Sequence, residues 1–126
     1  METDRVIRML SLGLGILMLF HGVDKLSNGV DHIVTMLNNV GIPYAKYVAY
    51  GVYIGEVVAP LLLIFGQYVR VSGSIIAFNM MVAIVLAHRN DIFTLGKHGA
   101  WSIEVPLLYL IIALSLALWR VPKKSV

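Results

Sequence analysis

Four long runs of apolar positions divide the chain, separated by short stretches where glycine, proline, amides and charges gather. They cover about 6–23, 47–66, 69–88 and 101–119, each close to the roughly 20 residues with which an α-helix crosses a ~30 Å hydrocarbon layer. Between the first and second runs the pattern changes. Ile33, Met36, Leu37 and Val40 recur at helical spacing opposite His32, Thr35, Asn38 and Asn39. Asp31 is placed to cap such a helix, and Gly41-Ile42-Pro43 to stop it. Too short to span, it is expected to lie on the bilayer surface, or alternatively to fold over the bundle as a lid. The predicted fold is all-α: one domain over residues 1–126, a membrane four-helix bundle with a short amphipathic surface helix between spans one and two.

Composition agrees. Hydrophobic residues make up 59% and charged residues 13%, against about 25% charged in a soluble domain, and the mean hydropathy is +0.83. The net charge of +3 is scattered at the ends of apolar runs, which points to membrane topology and away from nucleic acid. Arg5, Arg8, Arg70, Arg120, Lys123 and Lys124 fall on one side of a four-span arrangement. Lys25, Lys46, Arg89 and Lys97 fall on the other, so both termini are expected in the cytoplasm. The charged head before the first run resembles a secretory leader, but Phe20-His21-Gly22-Val23-Asp24 offers no small-x-small cleavage site, and the run is expected to be retained. Tyr44, Tyr47 and Tyr50 suit an interfacial aromatic belt. Trp101 and Trp119, about 27 Å apart on a regular helix, would mark the two faces of the bilayer.

The absence of cysteine excludes dithiol exchange, thiolate metal ligation and haem attachment through Cys. Any redox role must then borrow electrons from a bound cofactor or substrate. No two histidines stand three or four residues apart, so no metal site is expected.

Glu56 is the costly residue. An acid at the centre of a spanning helix costs about 2.5 to 3.5 kcal/mol on insertion scales and should face protein or a wet cavity. Pro60, four residues on, cannot donate to its carbonyl. Tyr53 shares its face at three-residue spacing. Gly51, Gly55 and Ala59 form a small-residue stripe that admits another helix. His21 and Lys25 stack on one face of span one if that helix continues far enough. Asn79 and His88, in span three, point to opposite sides, so only one can join Glu56; Asn79 reads as a packing amide. Glu104 stands in the first turn of span four, with Ser102 as its cap. In a four-span topology His21, Lys25, His88 and Glu104 all fall near the outer surface, with Glu56 somewhat deeper. Such groups can bind a polar head and exchange protons, or simply satisfy one another in packing.

LGLGILMLFHGVDKL in the first span, the GIP stop, YGVYIGEVVAPLLLIFGQYVR across the second and WSIEVPLLYLIIALSLAL in the fourth together resemble the DoxX family of small bacterial membrane proteins. His21-xxx-Lys25, Gly55-Glu56, Gly66-xxx-Arg70 and Glu104-xxx-Leu108-Tyr109 carry the likeness. Family members often end in a glycine-rich turn and a Ser-Leu-Asp tail; this chain ends in Arg120-Val-Pro-Lys-Lys-Ser-Val instead. The resemblance implies a multi-pass protein of the bacterial plasma (inner) membrane, in a family that includes a subunit of thiosulfate:quinone oxidoreductase. It also marks Glu56, His21, Lys25 and Glu104 as site candidates. The leading expectation is a quinone-linked redox component, a subunit of a quinone-dependent oxidoreductase. Glu56 and His21 would exchange protons with the ring oxygens, Lys25 would hold negative charge, and Tyr53, His88 and Glu104 would line the site. Its cofactor would be a quinone, and its partners the lipid bilayer and a soluble or membrane redox protein, with homo-oligomers allowed. The rivals are a non-enzymatic anchor or assembly subunit and a small proton-coupled exporter, the latter disfavoured because the acid of such exporters usually lies in the first span.

Overall fold

The computed structural model describes residues 2–120; the Lys123 and Lys124 used in the topology expectation lie outside them. α1 (Glu2–Asn28) contains no proline and runs unbroken until Gly29, whose φ of +79° ends it. It is therefore longer than the expected span, and His21 and Lys25 belong to the same helix. α2 (Asp31–Asn39) is capped by Val30 without a side-chain bond, so Asp31 stands in the first turn instead of capping, where its charge still suits the helix dipole. Leu37 of α2 is buried with Val30, Ala45 and Ala49 against Leu86. α2 is thus packed on protein as well as placed at the surface. His32, Thr35, Asn38 and Asn39 are exposed as the pattern predicted.

The second span is not one regular helix. α3 (Ala45–Ala49) packs with α2; a π-helical segment follows at Ile54–Val58, and α4 covers Ala59–Ile64. Proline accounts for the change of winding: with no N–H at residue 60, the fourth-neighbour ladder fails there. The chain widens so that the Ala59 N–H donates to the Ile54 carbonyl, five residues back. α5 (Val69–His88) is the third span.

The fourth is shorter than expected. α6 covers Glu104–Leu118, 15 residues, or about 22 Å of helix. A helix begun at Trp101 would put Pro106 deep enough to need an N–H it lacks, whereas a start at Glu104 places it in the first turn, where that N–H is unused. Ser102 is consequently not the cap. Its hydroxyl donates back to the Asp91 carbonyl and the Trp101 indole to that of Ile92, so the loop between α5 and α6 folds on itself. Asp4–Asn28, Ala45–Ile64 and Val69–His88 are long and apolar enough to cross a membrane.

The helices close a ring: α1 packs on the second span, the second span on α5, α5 on α6, and α6 on α1. Leu14, Met18, Leu63, Ile76, Met80, Ala113 and Leu116 form the core. In lipid, close backbone approach substitutes for hydrophobic drive, and glycine provides it. A Cβ on Gly15 would lie 2.8 Å from the Pro60 carbonyl, and one on Gly73 2.8 Å from that of Ala113. At one end of the bundle, Arg8 donates to the carbonyls of Leu63 (3.0 Å) and Ile64 (2.5 Å), and Arg70 to that of Ala117 (3.3 Å). These are carbonyls of the last turns of α4 and α6, which favour a cation.

Candidate functional site

The other end holds the acid. Glu56 sits inside the π segment, its side chain 7% exposed, and Lys25 reaches it from the last turn of α1 at 3.0 Å, Nζ to Oε1. From α5, Asn79 Nδ2 donates to Oε2 at 3.2 Å. Three spans thus meet on one carboxylate, and both its oxygens have a donor. Burying a charge without such partners would cost several kcal/mol.

Small residues make this convergence possible. Gly22 of α1 lies so close to the second span that a Cβ there would come within 2.0 Å of the Glu56 carbonyl oxygen. That carbonyl is the one Pro60 leaves without its fourth-neighbour donor. A Cβ on Gly55 would meet the Asn79 side chain at 2.8 Å, so α5 can bring its amide up to the carboxylate only because residue 55 has no side chain. Tyr53 helps hold the assembly. Its hydroxyl donates to the Lys25 carbonyl at 3.1 Å, its ring stacks on Tyr50 at 6.2 Å, and it makes no side-chain bond to Glu56.

The remaining candidates go elsewhere. His21 is exposed and turns towards α6, meeting Tyr109 edge-on at 5.9 Å. His88 pairs with Asp91 at 3.2 Å, three residues on. Glu104 is exposed at the start of α6. Among the described residues no hydrogen bond joins any of these three to Glu56. The structure therefore gathers Lys25 and Glu56, with Tyr53 beside them, and leaves His21, His88 and Glu104 around the rim.

Two participants escaped the sequence reading. Asn79 is the third-span residue that joins Glu56, where packing had been its expected role; its place opposite His88 meant that no more than one of the two could do so, and the choice depended on helix rotation. Gly22 carried no signal beyond standing within His21-xxx-Lys25. Among the described residues, no group of three His, Asp or Glu side chains could hold a metal ion.

A family model described as DoxX matches residues 6–89, two thirds of the chain. The match takes in α1, the irregular second span and α5, hence all of Lys25, Tyr53, Glu56 and Asn79, and stops before Glu104. No curated protein and no solved structure matches.

Proposed function

This chain belongs to the DoxX family, and from that premise we propose that it is a quinone-linked membrane component whose Lys25–Glu56 pair receives a quinone head group. The observation that carries the reading is the pair itself: a carboxylate and an ammonium kept in an apolar bundle, on a π-helical turn of the kind often found at functional sites. Lys25, 13% exposed at its side chain, is the more accessible member and can turn its remaining N–H groups to a ring oxygen. Reducing a quinone to the quinol takes two electrons and two protons. The electrons come from a redox partner, and Glu56 and the rim histidine His21 are the nearby groups suited to passing protons. The cationic ends of α1 and α5, with Arg8 and Arg70, support a bacterial inner-membrane orientation in which the N-terminus is cytoplasmic.

A second reading, a membrane anchor or assembly subunit, is favoured by one fact: both oxygens of Glu56 are already occupied, as packing alone would require. Thermal unfolding in liposomes with and without added quinone separates the two. Quinone at about a hundredfold its Kd should stabilise the wild type by about 2.7 kcal/mol, and Glu56→Gln should abolish the response. If the wild-type midpoint does not move and no quinone copurifies, the quinone reading fails. The anchor reading predicts instead that Glu56→Gln lowers folded yield but leaves partner turnover per folded molecule unchanged.

A further inference from the structure

The segment between α5 and α6 closes on itself. The Gly96 N–H donates to the Ala100 carbonyl at 2.6 Å and the Ser102 N–H to that of Thr94 at 3.0 Å, with an antiparallel bridge between Leu95 and Trp101. The Asp91 carbonyl accepts from the Thr94 N–H at 2.9 Å and from the Ser102 hydroxyl, and the Ile92 carbonyl accepts from the Trp101 indole. The result is a small hairpin in which the carbonyls of Asp91, Ile92, Thr94 and Ala100 all have donors. Its apolar side chains nevertheless face outward. Phe93 is 93% exposed, more than any other large apolar side chain among the described residues, and Leu95 is 67% exposed.

Depth decides what those side chains meet. α5 and α6 run antiparallel, and a Cβ on Gly73 would fall against Ala113, Leu116 and Ala117, so residue 73 is level with about residue 115. Counting back along α6 and forward along α5 at equal rise, Glu104 is level with about Ile84, four residues short of His88. α5 therefore rises about 6 Å beyond the start of α6. Val69–His88 is long and apolar enough to cross the membrane, whereas the 15 residues of α6 cover only about 22 Å of the ~30 Å hydrocarbon layer. The hairpin fills the difference. Ser102 is joined to Thr94, so Phe93 and Leu95 lie beside the stretch that descends into α6, at the depth of the last turns of α5. Backbone that leaves the aqueous layer must have its polar groups satisfied within the protein, and the bonds of the hairpin do this. Tyr44 and Tyr47, exposed at the same end of the bundle, are the kind of side chain that layer collects.

We propose that the hairpin between α5 and α6 is a lipid-contact surface: Phe93 and Leu95 enter the boundary between head groups and acyl chains at the Lys25–Glu56 end of the bundle and complete the crossing that α6 leaves short. Lys97, exposed at the hairpin tip, can keep its ammonium among the head groups while its stem lies on apolar surface. A soluble partner is the other body that an exposed Phe and Leu fit, but it would need the hairpin to stand clear of the bilayer. The proposal is independent of what the Lys25–Glu56 pair binds.

The chain has no cysteine, so a single introduced thiol can carry an environment-sensitive fluorophore without competition. Full-length Phe93→Cys and Leu95→Cys are labelled in vesicles of phosphatidylethanolamine and phosphatidylglycerol. Phe78→Cys, at the exposed centre of α5, and Asn38→Cys, on the polar face of α2, serve as the lipid and water references. Each label is quenched from the membrane by lipids carrying a nitroxide near the head group or deep in the chain, and from water by iodide. Labels at 93 and 95 should emit to the blue of the label at 38, and should lose more signal to the shallow nitroxide than to iodide. The label at 78 should respond most to the deep nitroxide. Iodide quenching at 93 and 95 equal to that at 38 overturns the proposal, since the hairpin then stands in water, open to a soluble partner. Shielding of both labels from iodide and nitroxide alike also overturns it, because protein, such as a second copy of this chain, would then cover them.

Discussion

At one end of α1, Arg8 donates to the carbonyls of Leu63 and Ile64; at the other, Lys25 donates to the carboxylate of Glu56. Both are cations of the same helix fastened to the same neighbouring span. The first uses neutral acceptors that any helix C-terminus provides, near the rim and in an exposed position. The second uses a buried carboxylate that had to be placed at that depth, relieved by Asn79 from a third helix. The difference teaches where expense is concentrated. The Arg8 contact is an inexpensive cap, whereas the Lys25 contact binds three spans into a unit in which no member can be removed alone.

Removing one member of the buried pair should therefore have the largest effect. Lys25→Met or Glu56→Leu should each cost about 3 to 5 kcal/mol, because the partner charge or amide is left stranded, and the two combined should cost much less than the sum. A denaturation series in detergent on the four proteins measures the coupling, and additive losses would show that the pair is not a unit. Next comes the spacing that lets the pair form. Gly22→Ala should cost about 1 to 3 kcal/mol by driving α1 away from the Glu56 carbonyl. Gly13→Ala, where a Cβ meets nothing within 4 Å, should be neutral or gain up to about 1 kcal/mol. Thermal midpoints of the two variants, lowered for Gly22→Ala and unchanged or raised for Gly13→Ala, sharpen the contrast within a single helix.

Asn79→Ala should cost about 1.5 to 3 kcal/mol, the range for a hydrogen bond to a charged group, and its loss should be far smaller in a background lacking Glu56. Smallest is the exposed end: Arg8→Met should cost about 1 kcal/mol, and Arg8→Lys less, since the charge still meets the carbonyls of α4. Equal losses at Arg8 and Lys25, measured by the same denaturation, would erase the distinction between the two ends.

Several of these features were legible in the residues. Glu56 and Pro60 announced a costly acid and a freed carbonyl in the second span, expected as one helix, and the structure makes it π-helical at that point. His21 and Lys25 at four-residue spacing were expected to act together. In the structure Lys25 takes the acid, while the His21 ring meets Tyr109 of α6. Spacing fixes which residues lie near one another on a helix, but the rotation of that helix against two neighbours decides which of them reaches a given partner. The fourth span was read from its tryptophans, and its start moved because Pro106 tolerates only the first turn.

The chain by itself determined that it carries apolar runs of membrane-crossing length and that Glu56 must find partners, since apolar length and the cost of a bare charge in hydrocarbon follow from composition and order alone. Only the tertiary structure decided which partners those would be. Lys25 and Asn79 rather than His21, His88 or Glu104 meet the acid because Gly22 and Gly55 let two backbones come within contact distance on those faces, and a packing fit between helices far apart in the chain is not written in the spacing of any one of them.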